Sequence, residues 1–399
     1  MDYLEQSQAA GRQVMPDLAR AIALIGIAVV NVAVISYPLM GGYIHGGLNT
    51  SIDNFAYFLV NSLFLMKFYT LFSFMFGVGF AFQMKSAART DAGFTGRYFR
   101  RIIGLLILGL FNIALLYQGD ILVLYAILGS LLFLFRKAST RTLMKWGVGF
   151  FVLQILVFLG ITVGVYLGQK YTPDDMALEA VKMAETVVRS HAVYGFGSFT
   201  EAIALRLQEW SEIIRIGIFL DGPGAMAFFL FGFAAVKSNV ISNAQASTWR
   251  RFRRTFLPIG LIGSAIGAYV QSLSGEMLNP VSMLGMSLIA FFALFSTAGY
   301  LGLIAKWASG PATKVKLFMA RGGTATLTAY LLQGLLLSLI FNAYGLGLFA
   351  KLDAVYCILI ALAVSVFTII LASLWRAKFA RGPFEYGLRK FTYLGNRQV

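Results

Sequence analysis

The chain of 399 residues is 58% hydrophobic and 13% charged, about half the charged fraction of an ordinary soluble domain. A soluble fold of this length could not hide so much apolar surface, so a soluble enzyme, a disordered chain and a disulfide-stapled secreted domain are excluded. The net charge of +16 would suit nucleic acid, but Lys and Arg stand in short clusters between apolar stretches, where membrane orientation accounts for them and no nucleic-acid partner is needed.

Ten apolar stretches are long enough, or nearly so, to cross a bilayer: 18–40, 55–84, 99–117, 120–135, 146–168, 213–236, 255–273, 281–304, 325–343 and 354–375. The first has no A-x-A-like cleavage site after it and reads as an uncleaved span. It opens with Asp17-Leu18-Ala19-Arg20 and carries Asn31 near its far end. Asp17 can cap a helix start, and Arg20 can meet a lipid phosphate or a ligand anion. The glycine-rich loop Gly41 to Gly47 holds His45, one of two histidines; it is either a solvated bystander or a general base.

Stretch 55–84 is too long for a single straight crossing. Two crossings would invert every later loop, so one crossing, broken or tilted near Lys67, is expected, with Gly77 and Gly79 allowing close helix approach. Gly119-Asp120 joins the third and fourth spans as a hairpin. Asp120 then caps the fourth span, faces a cavity from the outer side, or does both.

Segment 169–212 is the one sizeable hydrophilic piece. Thr172-Pro173-Asp174-Asp175 is a helix start, and the apolar spacing that follows predicts an amphipathic helix on the outer membrane face, serving as a lid or admitting a substrate. Gln333 and Asn342 on the ninth span can line a polar path or bond neighbouring helices. Cys357 is the lone cysteine, so no intrachain disulfide forms. Two histidines with scattered acids make no metal site. With both termini in the cytoplasm, twenty-six of the 33 Lys and Arg fall on the inner side and five on the outer. Residues 376–399 are then a cytoplasmic tail.

Several motifs are similar to those of the YeiB-like bacterial membrane proteins, a family of unknown function. Asp17 to Leu24 with Val30-Asn31 resembles its opening element. Lys67 to Ser73 with Phe76-Gly77-Val78-Gly79, Gln118 to Ala126, Leu327 to Gln333, Tyr344 to Gly347 and Gly382 to Thr392 match later ones. That family resembles a wider group of membrane acyltransferases that includes heparan-α-glucosaminide N-acetyltransferase. There are departures: Asn112 stands where members have a histidine eight residues before the Asp, Ala21 replaces a Gly, and Gly323 to Tyr330 lacks an Arg and an Asn.

The expectation is an all-α polytopic membrane bundle of about ten transmembrane helices in one domain, 1–399, multi-pass in a bacterial inner membrane. The resemblance implies transfer of an acyl group, acetyl first, from cytoplasmic acyl-CoA to an outward-facing hydroxyl or amine. Asn31 would hold the oxyanion, His45 would be the base and Asp120 would orient polar groups. Arg20, Lys67 and Arg321 would hold CoA phosphates. The partners implied are membrane lipid, acyl-CoA as co-substrate without a metal, and a small-molecule, lipid-linked or glycan acceptor, with a homodimer open. The competing readings are a transporter or flippase using Lys67, Arg215 and Asp221 as intramembrane charges, and a non-catalytic scaffold.

Overall fold

The computed structural model describes residues 13–89 and 93–394. The expected cytoplasmic termini lie outside those residues. Among the described residues the chain is helical, with no strand. In order the helices are α1 (Val14–Ile35), α2 (Ser51–Leu63), α3 (Lys67–Arg89), α4 (Phe94–Leu115), α5 (Leu122–Leu132), α6 (Thr140–Tyr171), α7 (Pro173–Phe196) and α8 (Phe199–Leu220). They continue with α9 (Gly222–Lys237), α10 (Ser247–Arg251), α11 (Leu257–Ser272), α12 (Pro280–Ser309), α13 (Lys314–Gly322), α14 (Thr326–Phe341), α15 (Ala354–Lys378) and α16 (Pro383–Thr392).

Among the described residues seven helices are long and apolar enough to cross a membrane, and nine are counted if each of two bent pairs is one span. The pairs are α8–α9, bent by 51°, and α13–α14, bent by 79°. A shorter apolar helix covers Leu122–Phe135. A π turn at Phe252–Phe256 joins α10 to α11. Pro258, in the first turn of α11, has no N–H to offer the preceding turn, which is where such an irregularity is expected.

Of the two alternatives for the long second stretch, a break or a tilt, the structure has the break. Helices α2 and α3 share one span, interrupted at 64–66, where Met66 has φ +66°. The break explains Lys67. The Leu65 N–H bonds to Val60 O, one residue early, so the Asn61 carbonyl loses its helical donor. Lys67 Nζ takes that carbonyl at 3.0 Å, and the side chain is fully buried. An ammonium at a helix C-terminus is also favoured by the helix dipole. Asp53 is not its partner; it caps α2 within a capping box at Thr50 and takes the Val355 N–H.

Helices α3 and α9 cross so closely that only glycine fits at the contact. A Cβ on Gly77 would lie 1.9 Å from Phe229 O, and one on Gly232 would lie 2.0 Å from Phe74 O. Gly79 does not serve this contact; it faces Arg20.

Helix α7 begins at Pro173 with Thr172 at the N-cap, as its sequence requires, but the Thr172 hydroxyl bonds back to Gly168 O instead of capping. Helices α7 and α8 are the segment expected to serve as a lid. Arg206 of α8 is 1% exposed and drives inward. Its Nη1 donates to Leu115 O at 3.0 Å, a carbonyl at the C-terminal end of α4, and its Nη2 donates to the Tyr344 hydroxyl and to Ser338 Oγ. Glu209, one turn on, accepts the Tyr194 hydroxyl at 2.7 Å and the Ser190 hydroxyl at 2.9 Å. Burial pushes the Glu209 carboxyl above its usual range, while these two hydrogen bonds pull the other way.

Candidate functional site

The hairpin α4–α5 places Asp120 in the protein interior, 9% exposed. Of the two roles weighed for it, capping is seen; it lines neither the recess nor the cavities beside it. Its Oδ2 accepts the Val123 N–H at 3.0 Å and caps α5. Its Oδ1 accepts Asn112 Nδ2 at 2.8 Å and the Tyr330 hydroxyl at 3.1 Å. Among the described residues no cation lies within ion-pair distance of it. The eight-residue spacing of 112 and 120 is therefore a direct side-chain contact across the hairpin turn.

A small polar recess opens beside this cluster. It measures about 10 Å³ and is lined by Asn31, Asn112, Tyr117, Tyr330 and Gln333 among others. That is about the space one water needs. Asn112 Oδ1 is buried there without a hydrogen bond. Its amide orientation follows from chemistry, because a carboxylate only accepts and so draws Nδ2 toward Asp120. Gln333 is held by Nε2 donating to Thr368 Oγ1 at 3.3 Å.

The recess shares Ile27 and Tyr330 with a cavity of about 250 Å³. Phe72, Phe76, Leu105 and Tyr125 give this cavity apolar walls, and Arg20 and Arg101 give it charge. Arg20 Nη1 donates to Asp17 Oδ1 at 3.1 Å. Asp17 lies inside the first turn of α1 and pairs with Arg20, while Gln13 occupies the N-cap. A third cavity, of about 360 Å³, continues from the second through Arg101, Glu385 and Leu388. Its rim carries Arg97, Arg381 and Arg389, with Arg97 and Arg389 stacked over the Tyr393 ring.

Glu385 stands between the two inner cavities and fixes the helix that carries Tyr330. The N-cap of α14 is Ala325, which has no side chain to cap with. Glu385, from α16, supplies the cap: Oε1 accepts Leu327 N at 2.7 Å and Thr328 N at 3.1 Å, and Oε2 accepts Thr328 Oγ1 at 2.6 Å. Thr328 Oγ1 in turn accepts the Phe384 N–H at 3.1 Å. The two helix starts cap each other.

A profile described as "Protein of unknown function (DUF418)" matches residues 235–395. The chain is 30% identical over 394 residues to Uncharacterized protein YxaH of Bacillus subtilis (strain 168), covering 95% of this chain and 93% of that protein. The chain belongs to the DUF418 family. Uncharacterized protein YeiB of Escherichia coli (strain K12) is 26% identical over 393 residues, 96% of each chain. An uncharacterized 39.9 kDa protein in the amylase 3' region of Bacillus acidopullulyticus is 30% identical over 164 residues, 38% of this chain and 44% of that one. No solved structure matches.

This DUF418 protein therefore gathers Asn31 and Asp120 around one recess, through Asn112 and Tyr330, and sets Arg20 in the adjoining cavity. It does not bring the other candidates there. His45 ends a single turn of 3₁₀ helix, its Nε2 2.6 Å from Met40 O, and lines none of these cavities. Near it on the outer face, His191 is held below its ordinary pKa by burial and by the His45 charge. Lys67 is spent on the α2 break, and Arg321 lies in the last turn of α13, outside all three cavities. Sequence reasoning passed over Tyr330, Arg101 and Glu385 as actors. Tyr330 and Glu385 lay inside matched motifs, and Arg101 lay in a loop cluster read only as an orientation signal.

Proposed function

We propose that this DUF418 protein is a membrane acyltransferase of the bacterial inner membrane. It takes an acyl group, acetyl first, from cytoplasmic acyl-CoA and passes it to an acceptor reaching the recess from the outer side. What supports this reading is that three neighbouring spaces share wall residues: an arginine-rimmed cavity, an apolar cavity that shares Arg101, Glu385 and Leu388 with it, and a small recess that shares Ile27 and Tyr330 with the apolar cavity. Acyl-CoA has the same order of chemistry, with phosphates and adenine, then a thin pantetheine arm, then a thioester. Arginine forks suit phosphate, and the Arg–Tyr393 stacks suit a purine face.

In this reading the thioester carbonyl lies beside Asn31, whose amide donates to the developing oxyanion. The recess has room for about one water, so only the acceptor's attacking atom reaches it, against Asn112. The lid closes the outer side in the described conformation, so acceptor arrival requires Arg206 to release the Leu115 carbonyl.

A transporter is the second reading, favoured by the two bent helix pairs, since broken helices commonly frame substrate sites in transporters. Against it, the free start of α14 is already occupied by the Glu385 carboxylate. The test is acetyl-CoA titrated into purified protein, followed by measurement of thiol release. A transporter binds its solute without cleaving the thioester; an acyltransferase releases CoA.

A further inference from the structure

Acyl transfer needs a group to receive the acceptor's proton, and the recess contains one connected to a base. Among the described residues Ile27 and Tyr330 line both the apolar cavity and the recess, and of these Tyr330 carries an exchangeable proton. Its hydroxyl already donates to Asp120 Oδ1 at 3.1 Å. Asp120 is held in one orientation by three hydrogen bonds, and no ion pair among the described residues cancels its charge. Independently, Asn112 Oδ1 is a buried acceptor with no donor, set on the wall of the same recess. An orphaned buried acceptor calls for a hydrogen-bonding guest.

We propose that Tyr330 is the catalytic proton carrier of the transfer and that Asp120, acting through it, is the positioning residue that finally holds the proton; this rests on the acyl-CoA reading of the site. The acceptor's oxygen or nitrogen forms a bond to the thioester carbonyl carbon. Its proton passes to Tyr330 Oη while the Tyr330 proton passes to Asp120 Oδ1. The tetrahedral intermediate then breaks its C–S bond, and the electron pair leaves on sulfur. The proton returns from Asp120 through Tyr330 to the thiolate. Both side chains end as they began, and free CoA thiol is the leaving group. Asn112 Oδ1 fixes a nucleophile that carries a second hydrogen, as water and amines do.

The geometry separates this relay from a His45 mechanism, because His45 lines neither space and its ring turns back to Met40 O. It also accounts for a tyrosine whose hydroxyl is aimed inward from a span of Leu and Gly.

The experiment uses the full chain in lipid nanodiscs, with acetyl-CoA as donor and water, glycerol or ethanolamine as acceptor, reading free thiol. Tyr330→Phe removes one oxygen and preserves the ring packing. It should lower kcat by on the order of 10²–10⁴-fold while the acetyl-CoA Kd stays within about twofold of native. Asp120→Asn keeps an acceptor for Val123 N–H; it should match that loss and flatten the acid limb of the pH–rate profile, and Asp120→Glu should recover part of the rate. A merely structural role would move Kd and thermal midpoint together with kcat. Native kcat in both Tyr330→Phe and Asp120→Asn overturns the relay and leaves the acyl-CoA reading standing. Native protein that binds acetyl-CoA but releases no thiol with any of the three acceptors also overturns the relay. Native protein that binds no acetyl-CoA overturns the reading beneath it.

Discussion

Replacing Glu385 by Ala tests whether the C-terminal helix holds the site together. The carboxylate accepts three hydrogen bonds on the first turn of α14, a helix with no cap of its own. A lost N-cap costs about 1 kcal/mol, and a hydrogen bond to a charged group is worth about 1.5–3 kcal/mol. Glu385 is half-buried, so solvent returns part of this and a net loss of about 2–3 kcal/mol is expected. For a chain of this length that is a fall of about 2–4 °C in midpoint. Thermal unfolding in detergent at one fixed scan rate reads it, since membrane proteins seldom refold after heating. Glu385→Gln keeps an acceptor and loses the charge, so it should fall about half as far. Thr328→Ala removes the hydroxyl that both receives Phe384 N–H and donates to Glu385, so the double variant should be non-additive by about 1 kcal/mol. An unchanged midpoint in Glu385→Ala, or strict additivity with Thr328→Ala, refutes the reciprocal cap.

Reporter fusions after Lys145 should read cytoplasmic and after Glu185 external, because the basic clusters lie on one side; the reverse result would invert the bundle. Gly77→Ala should abolish folded yield, since its Cβ would lie 1.9 Å from Phe229 O, whereas Gly149→Ala, which has nothing within 4 Å, should not change it. The lid should loosen as pH rises. Glu209 titrates above its unfolded value, so the folded state binds more protons than the unfolded one, and stability falls from the unfolded pKa upward through the raised one. The protection factors of the α7–α8 amides, with the intrinsic pH dependence of exchange divided out, should therefore fall across that window in the native chain and stay flat in Glu209→Gln.

Much of the bundle was legible because its signals are one-dimensional. Apolar length marks spans, basic clusters mark the inner side, and a thirty-residue run with Lys67 inside it pointed to a break or a tilt there; α6 and α12, of 32 and 30 residues, run unbroken, so length alone does not choose between the two. What that lysine does there was not legible. Its partner is a carbonyl six residues away, freed by the break itself, and not the aspartates that charge pairing favours. Arg206 was counted as an outer-loop charge, and nothing in a hydrophilic segment announces that one arginine turns inward onto Leu115. Glu385 lies 58 residues from Leu327, and only the fold brings α16 to the start of α14. Tyr330 read as an ordinary span aromatic, because hydropathy does not record where a hydroxyl points. Asn31 and Asp120 were found because a polar group inside an apolar span is costly and so asks for a reason.

The most direct test of the acyltransferase account is the affinity of acetyl-CoA for the purified native chain and for Arg101→Ala, measured by isothermal titration. Arg101 lines both inner cavities, where the path from the arginine rim to the apolar space narrows. The account predicts saturable binding to the native chain and a loss of about 10–100-fold in Arg101→Ala, the worth of one charge-assisted contact. No saturable binding to the native chain, or equal affinity in the two proteins, would contradict it.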